Sequence, residues 1–457
     1  MARKKRLVVF SIDGVPATLL QDFIGREELP NLTQLVSQHG LRQIDSVHPS
    51  VSSVAWASFI TGKNPGKHGI YGFVDRARGG YDLTIPLSNS MTGKDIWEVL
   101  SDAGRRVFGM NVPGTYPPRT VKGIIIGGFL CSDLRKVASP AEVSTYLRSI
   151  GYRIDSDPAL ARRSKDLMLP DLRETLEKRM EAMFHYLQEN TWDYFHAHIM
   201  ETDRLNHFLL EEGMDSNSKY GKEFLHLYRE IDGYVGELLD LLPEDSEECG
   251  LVLLSDHGFC PIKSEVQLSR YLIERGWTAL AKAQPEHPLD INPETSRAYT
   301  LIPGRIHLNL RGREPAGIVA PEEFAEVREE LARDLLELRA PNGDPVVKQV
   351  HKREEIYWPD GKHGPQHNMP VSQLLRTDSA FGRGPDLIAV PYDGYDLKMG
   401  LAASNTFLRT ELQGMHTYHD AFLISRGVEL PEARLNITQV TKYLAKALGV
   451  EPPEDMD

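Results

Sequence analysis

Two short apolar runs in the chain end in the same way, in an acidic residue followed within two positions by glycine. They are "LVVFSIDG" at residues 7–14 and "LVLLSDHG" at residues 251–258. Continuous apolar runs of this length are typical of strands buried on both faces. Helical patterns lie between them, among them "LPNLTQLVSQHG", with Gly40 as a C-cap signal, and the periodic segment from about Leu172 to Gln188. This alternation predicts an α/β fold with a mostly parallel central sheet and helices on both faces.

The domain organisation follows from the length and from a change of composition late in the chain. A chain of 457 residues favours one large α/β domain with insertions, or two domains. Residues 280–375 contain Pro- and Gly-rich turns and the charged helical pattern "PEEFAEVREELARDLLELRA", after which apolar strand patterns return in "DLIAVPYDGY" and "AFLISRG". We therefore predict a core formed by residues 1–279 and 376–457, with residues 280–375 as an insertion or cap.

The composition disfavours several classes of protein. No run of about 18 apolar residues is present, so a membrane-spanning helix is not expected. The net charge of −13 disfavours binding to nucleic-acid polymers or anionic membranes, because both attract basic surfaces. The N-terminal apolar run reaches Asp13 too early for a signal peptide, and the three cysteines have no metal-type or disulfide-type spacing. We therefore expect a cytoplasmic protein with reduced thiols, and nothing in the sequence indicates its oligomeric state.

Residues of metal-ligand type follow both predicted strands and recur on one predicted helix. Asp13 and the pair Asp256-His257 lie where the two strands end, and the carboxyl ends of parallel strands meet in one crevice. Asp203 and His207, four residues apart in "HIMETDRLNHFLL", lie one turn apart on the same helix face. Taken singly, each has an ordinary alternative: a capped turn for the strand-end residues, and a solvated Asp with a half-buried His for the helix pair.

Another pair of histidines precedes the last predicted strand. His416 and His419 lie in "GMHTYHDAFLI", and we expect one of them to be a ligand and the other to have a structural or surface role. The chain then offers three Asp and three His near strand ends or on one helix face. This set of donors suits two divalent ions of the zinc or manganese kind.

A serine-rich segment supplies a candidate nucleophile. In "PSVSSVAWASFITG" the apolar residues predict a helix that ends near Gly62, which puts Ser52 or Ser53 at its N-cap. A hydroxyl there lies beside free backbone N–H groups and the positive end of the helix dipole, where phosphate groups bind. Metal coordination would lower the pKa of that hydroxyl and make it a nucleophile near neutral pH. Capping alone also explains a serine at this position.

The order of these residues resembles the alkaline phosphatase superfamily, specifically its type I phosphodiesterase/nucleotide pyrophosphatase branch. The similarity extends over nearly the whole chain, through "VAWASFITGKNPGKHGI", "NVPGTYPP", "ETDRLNHF", "GRIHLNLRGREPAGIV" and "PDLIAVPYDGY". The resemblance implies the fold of that superfamily and two divalent metal ions, zinc or else manganese. One ion would be held by Asp203, His207 and His416, and the other by Asp13, Asp256, His257 and Ser52. His416 is preferred to His419 because it follows the Gly-x-His pattern.

The resemblance also assigns the nucleophile and exposes a departure from the family. Members often have Thr as nucleophile, and counting from Ala55 and Thr61 places Ser52 there rather than Ser53. Nucleotide pyrophosphatases carry an Asn after "HGI" that donates to a phosphate oxygen, whereas Phe73 occupies the matching position here. Another donor is then needed, such as the backbone N–H of Ser53 or a nearby Lys or Arg, and specificity for nucleotide diesters does not follow. No Cys or Ser-x-Pro-x-Arg motif surrounds Ser52, which disfavours sulfatase activity.

The resemblance implies a metal-dependent phosphohydrolase that cleaves phosphate monoesters or diesters through a phosphoseryl intermediate. Its partner would be a small phosphorylated substrate, with no nucleic-acid polymer and no membrane. Two alternatives stay open: a phosphomutase that uses the same phosphoseryl enzyme, and a non-catalytic protein that binds a phosphorylated ligand. The predicted insertion contains Arg311, Arg313, Lys362 and His363, and we expect basic groups among them to close over the substrate and select it.

Overall fold

A computed structural model describes residues 5–77, 80–189, 191–215, 217–286, 290–357 and 379–457, which are organised around an eight-stranded sheet. From one edge to the other its strands are Arg42–Ile44, Ala421–Arg426, Cys249–Leu254, Arg6–Ile12, Tyr194–Ile199, Val107–Met110, Gly123–Ile126 and Ala138–Ser139. The five strands from Cys249–Leu254 to Gly123–Ile126 run parallel, and each of the other three, at the edges, pairs antiparallel with its neighbour. The predicted mostly parallel sheet is confirmed.

Helices cover both faces of this sheet. Along the strand Arg6–Ile12, Val8 and Phe10 pack into one core layer and Leu7 and Val9 into the other, because successive side chains of a strand point in opposite directions. The first layer is covered by the helices Ala17–Gly25, Pro30–His39, Val143–Ser149, Pro158–Arg163, Lys165–Glu189, Glu201–Met214 and Gly221–Leu241. The second is covered by Ser52–Thr61, Ile96–Asp102 and Ile437–Ala447.

Two of these helices were predicted from the sequence, the first with its C-terminal end and the second without its first turns. The helix Pro30–His39 ends at Gly40, whose φ of 76° is a conformation that glycine adopts without strain. The long helix Lys165–Glu189 contains the whole periodic segment that predicted it. Local apolar spacing is therefore a sound guide to the elements around the sheet.

Smaller sheets and helices lie beside the central sheet. A four-stranded antiparallel sheet has the order Ala298–Leu301, Arg305–Leu308, Leu387–Pro391 and Val347–Lys352. Other sheets combine Tyr395–Lys398, Ser264–Gln267 and Phe407–Leu408; Gly258–Pro261 and Gly414–Thr417; and Asp75–Arg76 and Leu83–Thr84. Further helices are Pro65–His68, Leu268–Glu274, Phe324–Leu336, Arg353–Tyr357 and Ala380–Arg383, with 3-10 turns at Ser88–Ser90 and Leu134–Lys136. Leu387–Pro391 belongs to the predicted core by its residue numbers, but it pairs with two strands of residues 280–375. The limits of the predicted insertion therefore stay a prediction.

Two findings bear on the predictions about membrane-spanning helices and about the cysteines. Within the described ranges, no helix combines the length and the apolar character needed to cross a membrane. Cys131, Cys249 and Cys260 are free thiols. The cytoplasmic location stays a prediction.

A buried ion cluster links the strands of the four-stranded sheet. Asp386 accepts hydrogen bonds from Arg313 Nη1 at 2.7 Å and Nη2 at 2.6 Å, and from Arg353 Nη2 at 2.8 Å. Burial would raise the pKa of Asp386, but Arg313 and Arg353 lower it well below its ordinary value. Arg313 also bonds the neighbouring Glu314 and is buried, so the expectation that it could contact a substrate is wrong. Its guanidinium pairs with Asp386 and Glu314 inside the protein.

We expect Asp386→Asn to lower the free energy of unfolding by about 3–5 kcal/mol, because the buried Arg353 loses the carboxylate it pairs with and the buried Arg313 keeps only Glu314. Chemical denaturation near neutral pH measures the change. The matched control is Asp133→Asn, which weakens an Arg–Asp contact at the surface, where solvent screens the two charges. If the two variants lowered the free energy of unfolding by the same small amount, a stabilising role for the buried cluster would be contradicted.

Candidate active site

The site lies where the central strands Arg6–Ile12 and Cys249–Leu254 end side by side. The strands are adjacent and parallel, so Asp13 and Asp256 emerge next to each other. The backbone N–H that follows Asp13 donates to Asp256 Oδ1 at 3.1 Å. His257 Nε2 lies 3.5 Å from Asp13 Oδ1 and 3.3 Å from Asp256 Oδ2, and all three side chains are fully buried. The structure brings these three predicted site residues together.

A helix and a two-stranded sheet contribute the remaining ligand types. The helix Glu201–Met214 holds Asp203 and His207 one turn apart, with 3.5 Å between Asp203 Oδ1 and His207 Nε2. The strand Gly414–Thr417 brings His416 Nε2 to 3.2 Å from Asp203 Oδ1 and 2.9 Å from His207 Nε2. These three predicted site residues therefore also lie together.

Three histidines of the site share one orientation. The Nδ1 atoms of His207, His257 and His416 lie 2.9, 3.1 and 2.8 Å from backbone carbonyl oxygens. Because a carbonyl only accepts, each Nδ1 carries the proton and each Nε2 presents its lone pair to the cluster. A carbonyl behind the ring is how proteins commonly orient a metal-binding histidine. His419 instead bonds Asp45, and its side chain is 66% exposed.

The cluster has unpaired acceptors that a cation would satisfy. The Nε2 atoms of His207 and His416 face each other at 2.9 Å, and in neutral rings protonated at Nδ1 each of these atoms carries a lone pair. In the part of the chain that the structure describes, Asp203 Oδ1 and Asp256 Oδ2 are buried without a hydrogen-bond partner. Buried acceptors of this kind are costly unless an ion or a donor pairs with them. Carboxylate oxygens and imidazole nitrogens are also the ligands that zinc and manganese take, so these residues fit divalent cations.

The ligand atoms fall into two overlapping groups. Within each group the atoms lie no more than 4.8 Å apart, and the groups are Asp203, His257 and His416, and Asp13, Asp256 and His257. His257 is common to both groups, as expected for a residue between two neighbouring ion positions. The assignment of His207 to one ion and of His257 to the other stays a prediction.

Burial dominates the electrostatics of the cluster. It lowers the pKa of His257 to about 3 and that of His207 to about 4, so both rings are neutral at physiological pH. Burial and the neighbouring Asp13 carboxylate raise the pKa of Asp256 well above its ordinary value. Neutral imidazole is the form that binds metal ions.

Ser52 is the first residue of the helix Ser52–Thr61. The prediction that Ser52 or Ser53 is the N-cap is therefore wrong. The N-cap is Val51, whose backbone is extended, and the Ser52 side chain turns towards the strand ends. Ser52 Oγ donates to Asp13 Oδ1 at 3.0 Å and lies 3.3 Å from His257 Nε2. The first backbone N–H groups of a helix have no acceptor within it, so this end of the helix can bind an anion.

Sequence reasoning missed the residues behind Asp13. Trp56 Nε1 donates to Asp13 Oδ2 at 2.8 Å, and His198 Nε2 lies 3.2 Å from the same oxygen. Ser11 and His196 lie behind His198. The overlooked signal is "HAH" at residues 196–198, because two histidines at alternate positions of an apolar strand share one buried face.

A cavity of about 770 Å³ opens beside the ligand cluster. His207 and His416 line it, as does Phe73, the residue predicted at the position of the family Asn. Its far side is formed partly by the four-stranded sheet, through apolar residues such as Ile388 and Val390. The organic part of a molecule bound at the cluster would therefore contact the four-stranded sheet as well as the residues around the cluster.

The basic side chains along this cavity differ from those expected. Lys348 and Lys398 line it, whereas Arg311 is exposed elsewhere on the surface. Lys362 and His363 lie outside the described residues. No spacing in the sequence marks Lys348 or Lys398, because only folding brings their strands to the site.

Comparisons with known proteins bear on the family and the fold. A sequence model of the type I phosphodiesterase/nucleotide pyrophosphatase family matches residues 7–419. Phosphonoacetate hydrolase from Sinorhizobium meliloti in complex with phosphonoformate has a TM-score of 0.64 at 18% identity, covering 98% of this chain and 96% of that chain. Murine ectonucleotide pyrophosphatase/phosphodiesterase 5, an inactive form with AMP, has a TM-score of 0.56 at 15% identity over the same shares. No curated protein sequence matches the chain.

Proposed function

The chain belongs to the type I phosphodiesterase/nucleotide pyrophosphatase family of the alkaline phosphatase superfamily, a family of phosphoric ester hydrolases, and on this premise we propose that Ser52 is its nucleophile at a site for two divalent metal ions. The proposal is carried by the convergence of the Ser52 hydroxyl with three carboxylates and three histidine Nε2 atoms. One ion would be held by Asp203, His207 and His416, and the other by Asp13, Asp256, His257 and Ser52. Zinc suits this mixture of donors, with manganese as the alternative.

The reaction would divide into two displacements at phosphorus. Divalent cations, when bound, supply positive charge that neutralises phosphoryl oxygens and favours the ionised form of the serine hydroxyl. Ser52 Oγ, held by Asp13, attacks phosphorus, and the bond from phosphorus to the ester oxygen breaks and releases the alcohol. Water then cleaves the phosphoserine, which restores the Ser52 hydroxyl and releases the phosphate.

A backbone donor would stabilise the charge that develops on the phosphoryl oxygens. Phe73 packs edge-on against Phe129 with ring centroids 5.2 Å apart, and its side chain has no N–H or O–H to donate. The N–H of Ser53, at the N-terminus of the helix that carries Ser52, adds a hydrogen bond and the positive end of the helix dipole. We assign it the role of the family Asn.

The organic part of a small phosphorylated substrate would occupy the cavity beside His207 and His416. The net charge of −13 supports a small ligand rather than a nucleic-acid polymer or an anionic membrane, because the positive charge at the site would be local, from the two ions and from Lys348 and Lys398. The preference for monoesters or diesters would depend on whether this cavity accommodates a second ester group on phosphorus. Cytoplasmic location is part of this proposal.

The proposal is tested by comparing turnover of an aryl phosphate monoester with that of the matching diester, after chelation and reloading with zinc or manganese. We expect metal-dependent release of the aryl alcohol from at least one ester, with oxygen from labelled water entering the released phosphate. Phosphonoacetate and an AMP ester belong in the panel, because the structural neighbours act on or bind related compounds. Transfer of the phosphoryl group to a substrate hydroxyl would indicate a phosphomutase, and binding without turnover a binding protein; either would contradict the proposal.

A further inference from the structure

A chain of buried polar side chains extends from Asp13 into the central sheet. In the strand Tyr194–Ile199, His196 and His198 alternate with apolar residues and point to the same face. Ser11 of the neighbouring strand is the register partner of His198. All four side chains are fully buried. Polar groups in such surroundings are costly unless they are hydrogen-bonded, so their protons must be arranged consistently.

The contacts form one continuous series. His198 Nε2 lies 3.2 Å from Asp13 Oδ2, and His198 Nδ1 lies 2.9 Å from Ser11 Oγ. Ser11 Oγ is also 2.9 Å from His196 Nε2, with a longer contact of 3.3 Å to the backbone oxygen of Ala197. Among the described residues, His196 Nδ1 and His198 Nε2 have no hydrogen bond of regular geometry, so His198 Nε2 faces Asp13 Oδ2 at ion-pair distance. Asp13, His198, Ser11 and His196 are called the Asp13 relay below.

One arrangement of protons satisfies the Asp13 relay when both rings are neutral. An ionised Asp13 only accepts, so His198 Nε2 carries the proton and His198 Nδ1 the lone pair. The Ser11 hydroxyl then donates to His198 Nδ1 and accepts from the Nε2–H of His196. The Nε2–H of His198 faces the negative charge of Asp13 Oδ2, and the Nδ1 acceptor of His196 has no partner among the described residues. The reverse arrangement would point the His198 Nε2 lone pair at a carboxylate and bury an unpaired N–H on His196, which is the costlier state.

Aromatic side chains close the Asp13 relay on its remaining sides. Trp97 stacks on His196 with ring centroids 5.6 Å apart, and Trp56 packs edge-on against His198 at 4.7 Å. Trp56 Nε1 also donates to Asp13 Oδ2 at 2.8 Å. Two N–H groups thus face Oδ2, whereas Oδ1 faces the proposed nucleophile. The two oxygens of the Asp13 carboxylate therefore have different neighbours: Oδ2 faces Trp56 and His198, and Oδ1 faces Ser52.

We propose that His198 is a positioning residue that holds Asp13 Oδ2, so that Asp13 Oδ1 stays directed at Ser52 and at the ion that Asp13 would bind. The inference rests on the proposed function, because it concerns the orientation of a proposed metal ligand. Ser11 and His196 act one step further back, by fixing the His198 tautomer that donates. Partners of metal ligands change metal affinity by about 10–100-fold when they are removed.

Two variants of similar polarity separate the donor from the rest of the ring. His198→Gln places an amide N–H near the position of Nε2, whereas the shorter His198→Asn reaches Nδ1 and leaves Asp13 Oδ2 without this donor. We expect His198→Asn to weaken zinc binding by about 10–100-fold and His198→Gln by less than about threefold. Competition with a chromogenic chelator measures the affinity, and thermal unfolding of the metal-free proteins checks their folding. Equal affinities of His198→Asn and the wild type would overturn the inference.

A second measurement uses the unaltered protein and does not depend on either variant folding. Long-range proton–nitrogen NMR spectra of protein labelled at its 16 histidines report which ring nitrogen carries the proton. We expect His198 and His196 to be Nε2–H tautomers, with His198 assigned by its contact with the indole N–H of Trp56. A His198 ring protonated at Nδ1, alone or together with Nε2, would rule out the proposed direction of the Asp13 relay.

The outcomes separate this inference from the proposed function. If the wild-type protein binds no zinc or manganese, the proposed function fails, whatever the tautomer of His198. If the wild type binds zinc and His198→Asn binds it equally well, only the positioning role fails.

Discussion

Ser52→Ala is expected to reduce turnover of the preferred phosphate ester by about 10⁴-fold. The variant removes the hydroxyl that contacts Asp13 Oδ1 and His257 Nε2, and no phosphoseryl intermediate can then form. The carboxylates and imidazoles of the cluster are unchanged, so two ions should still bind. Steady-state kinetics of the zinc-loaded protein measures the loss of turnover, and elemental analysis after gel filtration measures the metal content.

Ser53→Ala is the matched control for this experiment. It removes a hydroxyl one residue away on the same helix, but it keeps the backbone N–H to which we assign a role in phosphate binding. We expect the control to lose less than about tenfold in turnover, since a retained backbone donor keeps most of its effect. Turnover by Ser52→Ala at the wild-type rate, or equal losses in the two variants, would show that Ser52 is not the nucleophile.

Asp256→Asn is expected to separate metal binding from folding. The Asn Oδ1 can still accept the backbone N–H that follows Asp13, and the amide replaces Oδ2, which has no hydrogen-bond partner among the described residues. The metal-free variant should therefore melt at the wild-type temperature or above it, because a buried carboxylate beside Asp13 has been removed. Its metal affinity should fall by more than about 100-fold, beyond the loss typical of a partner behind the ligands.

Thermal unfolding with and without added zinc measures both effects in one experiment. Zinc at about 1,000 times its dissociation constant stabilises a native protein by about 4 kcal/mol, so the wild type should show a clear rise in melting temperature and the variant little or none. Asp166→Asn is the charge-matched control, because its carboxylate is exposed, pairs with Lys219 and is not among the predicted ligands. A full zinc response of Asp256→Asn would remove Asp256 from the ligand set.

Many features of the molecule follow from local sequence. Apolar runs that end in an acid predicted two central strands, and the side chains at their ends do meet. The spacing of Asp203 and His207 predicted a helix with both on one face, which the structure shows. These predictions succeed because the period of a strand or helix fixes where its next side chains lie. Resemblance to a family then selected His416 over His419, which spacing left open.

Other features required distant parts of the chain to come together. His207 and His416 are 209 residues apart in sequence, yet their Nε2 atoms are 2.9 Å apart. Arg313, whose basic charge suggested contact with a substrate, is held instead by Asp386 in the core of the four-stranded sheet. Lys348 and Lys398 reach the cavity only because their strands fold against the cluster. Local patterns carry no information about which surfaces pack together.

Local sequence was sufficient for the element types, the parallel sheet and the kinds of residue at the strand ends. The order of strands in the sheet and the packing of the smaller sheets against it determined which of those residues became neighbours. The Asp13 relay shows the physical reason. Its two histidines look out of place in an apolar strand, and only the neighbouring strand, with Ser11 opposite and Asp13 at its end, supplies the partners that make their burial stable.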